Sequence, residues 1–219
     1  MSDKSSVVAV MGGTFDPVHN GHLRSALELK QKLALDEVHL VPCHQTTHRQ
    51  QPGRTSQQRL EMLQLAVSGE ESLCIDDREL CRDQASYSVL TLQSLRDELG
   101  ESAVICWVLG VDAFAHFTRW HQWQRILELA NLVVITRPGF ELDPQSEEAR
   151  LWRDLNTNPE MLSAHRYGRI VPVRLPTQLE ISATYIRQQL ADNQSVRYLL
   201  PESVLAYIEK HGLYRTSSD

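Results

Sequence analysis

Eleven consecutive residues, Gly12-Gly13-Thr14-Phe15-Asp16-Pro17-Val18-His19-Asn20-Gly21-His22, combine residue types that bind anions. Paired glycines let a backbone approach a ligand closely and leave amide N–H groups free for an anion. A helix beginning near Asn20 adds the positive end of its dipole and its unpaired first-turn amides. His19 and His22, three apart in that first turn, can turn both imidazoles toward one anion. The run follows directly on Val7-Val8-Ala9-Val10-Met11, a continuous apolar stretch of the kind a buried parallel strand shows. A glycine pair alone also fits an ordinary strand-to-helix turn, and two histidines three apart also fit a surface or a metal half-site. Both together, at the end of an apolar strand, point to a phosphate site with two imidazoles. The pattern is neither G-x-G-x-x-G nor G-x-x-x-x-G-K-[ST], which argues against a dehydrogenase and against a P-loop enzyme.

Such a site needs a scaffold, and the rest of the chain reads as one. Further strands are expected at 38–41, 73–75, 103–109, 131–136 and 170–173. Helices are expected at 20–35, from Thr55 or Ser56 to about 67, at 88–99 closed by Gly100, at 183–190, and at 201–210 between Pro201 and Gly212. This alternation predicts the α/β class, a doubly wound parallel sheet with helices on both faces and the apolar 103–109 stretch at its centre. In such a sheet ligands bind beyond the carboxyl ends of the strands. Two polar stretches interrupt the pattern. Residues 43–53 read as a long loop, and residues 140–168 as a surface helix covering one sheet edge. The chain is expected to form a single domain over 1–219, with a small helical C-terminal segment at about 182–214 packed on it.

Composition narrows the function classes. The chain has 219 residues, is 42% hydrophobic and 23% charged, and carries 22 basic against 28 acidic residues for a net charge of −6. Ordinary hydrophobicity argues against wholesale disorder, and the negative sign argues against a non-specific nucleic-acid or anionic-membrane binder. No apolar run approaches the ~20 residues of a membrane span, and the first residues show no signal-peptide pattern. Cys43, Cys74, Cys81 and Cys106 lack C-x-x-C spacing and read as reduced thiols. A soluble cytoplasmic protein is expected.

The first motif resembles the signature of the T/H-x-G-H nucleotidyltransferase superfamily. The second half of that signature, an I-S-S-T-x-x-R-like segment, stands here as Ile181-Ser182-Ala183-Thr184-Tyr185-Ile186-Arg187, with Ala183 where serine is commoner. Ser182 reads as a helix N-cap, so backbone amides, the Ser182 and Thr184 hydroxyls and the Arg187 guanidinium can converge on phosphate oxygens. Within the superfamily the chain is most similar to the bacterial nicotinate-nucleotide adenylyltransferases. The similarity runs through His48-Arg49 and Arg59, Ser86-Tyr87-Ser88, Gly110-Val111-Asp112, Trp120, Thr136-Arg137-Pro138-Gly139, the 181–187 segment and Leu199-Leu200-Pro201 to Tyr214.

That resemblance implies a Rossmann-like fold and transfer of AMP from ATP to nicotinate mononucleotide, with Mg²⁺ bound mainly through ATP phosphates and no dedicated protein metal site. It implies His19, His22 and Arg187 as catalytic residues, and Gly12, Gly13, Thr14, Phe15, Ser182 and Thr184 as the phosphate cradle. For the nicotinate nucleotide it implies the amides around Tyr87-Ser88 and of His121, with Trp120 stacked on the pyridine ring, unless Trp120 is simply a core residue. Gly110 and Asp112 would meet the ribose, although Asp112 also fits a helix N-cap. Arg49 would reach a substrate phosphate from the 43–53 loop, and Arg137 would do likewise or pair with a surface acid. Asp16 reads either as a second-sphere metal partner or as a turn-forming residue beside Pro17.

The clearest departure from the family is Cys43-His44-Gln45-Thr46-Thr47, where prolines are usual. His44 and His48, four apart, have no third metal ligand, and Cys74 and Cys81 lack partners at zinc spacing. Four other readings compete: enzymes preferring nicotinamide mononucleotide, phosphopantetheine adenylyltransferases, class I aminoacyl-tRNA synthetases, and a non-catalytic nucleotide-binding module. The synthetase reading lacks its lysine signature and a basic tRNA surface, and the non-catalytic one sits poorly with His19, His22 and Arg187 all being present. Oligomeric state is open between a monomer and a homo-oligomer.

Overall fold

Parallel strands cannot be joined by tight turns, so a chain that alternates apolar runs with amphipathic segments must cross over through helices. A computed structural model, describing residues 6–44 and 53–215, shows this arrangement. Strands β1 (Val7–Gly13), β2 (Glu37–Pro42), β3 (Leu73–Ile75), β4 (Val104–Gly110), β5 (Asn131–Ile135) and β6 (Ile170–Val173) form one parallel sheet in the order β3-β2-β1-β4-β5-β6. Helices α1 (Asn20–Leu33), α2 (Ser56–Val67) and α3 (Ser88–Leu99) separate the first four strands. The short α4 (Val111–Phe114), a 3-10 turn at Phe117–Arg119 and α5 (Trp123–Leu129) join β4 to β5. After β5 come α6 (Glu147–Leu155) and a 3-10 turn at Pro159–Ala164, and after β6 the terminal α7 (Ala183–Ala191) and α8 (Glu202–Lys210).

Strand alternation divides the interior into two cores, one on each face of the sheet. Ala9, Val104, Cys106 and Val133 face a core completed by Ala26 and Leu29 of α1, Met62 and Leu63 of α2, Ile186 of α7 and Ile208 of α8. Val10, Ile105, Trp107 and Val134 face the other, with Leu92 and Leu95 of α3, Phe114, Phe117 and Ile126. The expected surface helix within 140–168 wraps the β6 edge. Leu151 and Trp152 pack on the second core, Asn156 bridges to Ile170, and Leu162 is buried in the first core. Helix α1 ends at Leu33, two residues short of the expected end. Ala34 turns left-handed (φ 49°), and the Lys30 ammonium bonds the carbonyls of Leu35 and Asp36. No described helix is long and apolar enough to cross a membrane.

The strand register makes the crevice. β1 pairs with β2 to its end, Gly13 opposite Pro42, but with β4 only as far as Val10 opposite Trp107. Beyond that point β4 continues along β5, Gly110 opposite Ile135. The sheet therefore forks between Met11–Gly13 and Val108–Gly110. This is where the connections reverse direction, the place where open α/β sheets bind ligands.

Arg96 anchors the opposite end. Buried at 4% exposure, it donates to the carbonyls of Gly100 (3.0 Å), Ala103 (2.7 Å) and Leu129 (2.6 Å). It thereby ties the ends of α3 and α5 to the start of β4. Arg96→Met should leave the buried carbonyls of Ala103 and Leu129 short of a donor and destabilise the fold by about 3 kcal/mol. Urea unfolding would show a lower midpoint with an unchanged slope.

Candidate active site

The glycines of the first motif make room for rings. A Cβ on Gly12 would lie 3.0 Å from the Trp107 indole, and a Cβ on Gly13 would lie 2.9 Å from the Phe15 ring. Phe15 is itself buried and left-handed (φ 47°), and its ring stands edge-on to His22 at 5.0 Å between centroids. Below these rings Arg59, 1% exposed, donates to the carbonyls of Thr14 and Cys43, both at 2.7 Å. Its guanidinium thus joins the motif to the end of β2 and lets the glycine-rich backbone keep its shape.

Asp16 is the junction. Its carboxylate accepts the Tyr214 hydroxyl at 2.6 Å and the Gly53 amide at 2.9 Å, while its main-chain carbonyl accepts Arg187 Nη1 at 2.7 Å. Arg54 lies over the Tyr214 ring, 4.8 Å from its centroid. Burial first, and then the Asp16 hydrogen bond, push the Tyr214 phenol far up, so it stays a donor at all physiological pH values. Asp16 therefore acts as a tertiary tie, a role that neither the turn reading nor the metal reading anticipated. Tyr214 and Gly53 were not legible as its partners, because nothing local in sequence pairs positions so far apart.

At the start of α1 the two imidazoles stack, 3.6 Å between centroids and 19° between planes. His22 Nδ1 accepts the backbone N–H of His19 at 3.3 Å, so the proton of a neutral His22 sits on Nε2, which becomes a donor. His19 is 5% exposed, and burial lowers its pKa to about 4. Its Nδ1 and the Nε1 of Trp107 are buried with no hydrogen-bond partner among the described residues. A Cβ on Gly21 would lie 3.0 Å from His19 Nδ1, so this glycine is needed for the ring to occupy its place. Neutral His19 and the stacked His22 thus form a cluster of ring nitrogens at a helix N-terminus, suited to developing negative charge.

The C-terminal motif closes on the same spot. Ser182 caps α7 by accepting the Tyr185 amide at 3.1 Å, as its position in the sequence predicted. Arg187 is fixed by Thr184 Oγ1 (3.2 Å) on one side and the Asp16 carbonyl on the other. Asn20 donates through its backbone to the Leu199 carbonyl and through its side chain to the Tyr198 carbonyl, both at 2.9 Å. The structure therefore brings together His19, His22, Arg187, Thr184 and the 12–15 backbone.

The other bank of the crevice carries the remaining expected residues. Cys43 donates to the Gly13 carbonyl (2.9 Å) and the next residue, His44, donates its amide to Ser86 Oγ (2.9 Å), linking the first motif to the 86–88 segment. The rings of Tyr87 and His121 meet at 4.4 Å, and Ser88 opens α3 behind Tyr87. Trp120 is half-buried, packed on Phe117 at 5.7 Å, which leaves both its core and its stacking readings standing. Gly110, not Asp112, is the N-cap of α4. Asp112 instead pairs with Arg137 across 3.4 Å, both side chains more than half exposed. Arg49 lies outside the described residues.

Comparisons with known proteins identify the family and the fold. The cytidylyltransferase-like family profile matches residues 10–189. A probable nicotinate-nucleotide adenylyltransferase of Cellvibrio japonicus is 47% identical over 208 residues, 95% of this chain and 98% of that one. A protein of the same name from a Marinomonas species is 43% identical, covering 97% and 96%. Among solved structures, a Plasmodium falciparum nicotinic acid mononucleotide adenylyltransferase complexed with NaAD superposes with a TM-score of 0.72 over 95% of this chain and 97% of that one. At 17% identity that match shows the fold alone.

Two outcomes are expected of the site. The folded chain holds His19 at about 4 against 6.5 when unfolded, so the unfolded chain takes up the proton first. Stability present above pH 6.5 should be lost as pH falls toward 4, by about 2 kcal/mol between pH 7 and pH 5. His19→Gln should lack that component of the slope in denaturant titrations at both pH values. Tyr214→Phe should cost about 1–3 kcal/mol, since Asp16 loses a buried donor, and should weaken nucleotide binding through Arg187. Calorimetric titration with ATP checks the second effect.

Proposed function

The chain belongs to the cytidylyltransferase-like family and, within it, to the nicotinate-nucleotide adenylyltransferases; on that premise we propose that it transfers AMP from ATP to nicotinate mononucleotide, releasing pyrophosphate and nicotinate adenine dinucleotide. The observation that carries the reading is the stacked imidazole pair at the start of α1, with His19 kept neutral by burial and Arg187 locked to the same motif through Asp16. The acceptor phosphate is already about two-fold negative near neutral pH, because its second pKa is ~6. It attacks the α-phosphorus directly, so no general base and no covalent intermediate are required. The protein's share of the barrier is alignment of the two substrates and stabilisation of charge on the departing pyrophosphate.

Each part has a task in that scheme. The 12–15 backbone and the first-turn amides of α1 receive phosphate oxygens. His22 donates through Nε2, and His19 donates through whichever nitrogen carries its proton. Arg187, with the Ser182 and Thr184 hydroxyls, holds the β- and γ-phosphates. On the other bank the amides around Tyr87-Ser88 and of His121 receive the nicotinate carboxylate, with Trp120 against the ring, Gly110 and Asp112 at the ribose, and Arg49 and Arg137 reaching phosphate.

The donor set bears on Mg²⁺. Asp16, the carboxylate of the first motif, is already bonded to Tyr214 and Gly53, leaving imidazoles, amides, hydroxyls and a guanidinium. These do not make a dedicated Mg²⁺ cage, which fits an ion that arrives on the triphosphate oxygens, where it neutralises phosphate charge.

Pyrophosphate release with ATP and Mg²⁺, comparing nicotinate with nicotinamide mononucleotide, tests the assignment. A preference for the acid on the order of 10²-fold or more is expected, because buried donors built for a carboxylate are left unpaired by an amide. His22→Ala should lower kcat on the order of 10²–10⁴ with a small change in KM. Equal rates with both mononucleotides would refute the carboxylate pocket, and release with neither would refute the adenylyl acceptor.

A further inference from the structure

On the sheet's outer edge, away from the crevice, four side chains of metal-binding type share one face. Glu37 and His39 lie two apart on β2 and so project to the same side. Cys74, on the edge strand β3, is the register partner of His39. Asp76 lies two beyond Cys74, and its amide extends the ladder to the Leu40 carbonyl (3.1 Å). The alternate residues Val38, Leu40 and Leu73 are buried in the core on the other face.

A carboxylate oxygen of Glu37, a ring nitrogen of His39 and the Cys74 sulfur all lie within 4.8 Å of one another. His39 Nε2 is 2.8 Å from Glu37 Oε2, and its Nδ1 is 3.5 Å from Asp76 Oδ2. Asp76 is held by Arg78, whose Nε donates to both carboxylate oxygens at 2.8 and 2.6 Å. Arg78 is fixed in turn by Ser94 and Glu98 of α3.

We propose that Glu37, His39 and Cys74 form a site for a divalent cation of the zinc class, with Asp76 orienting His39 from behind. An oxygen, a nitrogen and a sulfur donor suit a borderline-soft ion and not Mg²⁺ or Ca²⁺, which take oxygen ligands. Three protein ligands on a partly exposed face leave a fourth tetrahedral position to water. Bonds of about 2.0–2.3 Å place tetrahedral ligand atoms roughly 3.3–3.8 Å apart. Glu37 and His39, 2.8 Å apart, therefore spread slightly and the Cys74 thiol adjusts from within 4.8 Å, movements that side-chain rotation supplies. A surface pair of Glu37 with His39 would need neither the thiol nor the second carboxylate. The carboxylate on the far ring nitrogen is the arrangement that fixes tautomer and orientation in metal-bound histidines. The sequence concealed the site because its ligands come from two strands, so Cys74 has no partner at zinc spacing along the chain. Bound there, the ion would staple the three-residue edge strand β3 to β2.

The test is titration of the metal-free full chain with Co²⁺ as the probe, followed by competition with Zn²⁺. One equivalent should bind with a thiolate-to-cobalt charge-transfer band, absent in Cys74→Ser and retained in Cys81→Ser. Asp76→Asn should weaken binding roughly 10–100-fold. Zn²⁺ should raise the Tm of the parent chain but not of Cys74→Ser. Absence of saturable binding, or a thiolate band that survives Cys74→Ser, would overturn the proposal. Because Cys74 stands outside the crevice, Cys74→Ser should still release pyrophosphate from ATP and nicotinate mononucleotide, so this test and that of the adenylyl transfer fail independently.

Discussion

One buried carboxylate organises the phosphate end of this molecule. Asp16 is 3% exposed and would be costly to bury as a bare anion. It is tolerated because Tyr214 and Gly53 each donate a hydrogen bond to it, and those bonds fasten residues far apart in the chain to the turn after β1. From the same residue the carbonyl reaches out to Arg187. A single position therefore fixes where the C-terminal chain passes, where residue 53 stands, and where the guanidinium waits. The helical C-terminal part shares the core behind β1, so burial and this polar knot reinforce one another.

A second constraint is electrostatic. A chain with net charge −6 is proposed to bind two polyanions, and its net charge supplies no attraction for them. The proposed site instead offers local groups of fixed direction: backbone amides beside glycines, a helix N-terminus, and a His19 ring kept uncharged by burial. Burial that strips the proton from His19 costs nothing in function if the ring serves as a dipole and not as a cation. The fixed charge sits in Arg187, whose five donors cannot be deprotonated and are already oriented by Asp16 and Thr184.

How much of this could be read beforehand follows from distance along the chain. The Gly12 to His22 run was legible because its parts are contiguous, and the strands because their apolar runs are uninterrupted. The Ser182 cap was legible for the same local reason. Arg59 stood out by its spacing, but its hold on the Thr14 and Cys43 carbonyls is a tertiary fact. Arg137 was read as reaching a phosphate or pairing with a surface acid, and Asp112 as meeting a ribose or capping a helix; only the fold shows that the acid beside Arg137 is Asp112. Tyr214 resembles any tyrosine near a chain end until Asp16 is placed beside it. The cross-strand meeting of His39 and Cys74 is likewise set by register, which only the folded sheet supplies.

The fork between β1 and β4 separates two kinds of labour within one cleft. The bank on β1 is welded to β2 along its whole length and locked by Arg59 and Asp16, whereas the facing bank consists of connections hung from β4 and β5. Changes in those connections would reshape what is accepted without disturbing the cradle proposed to hold the triphosphate. The architecture is in this sense modular: a fixed cradle beside an exchangeable adaptor. A lineage built on it could acquire new acceptors by redrawing the stretches after β4 and β5 while inheriting its chemistry intact.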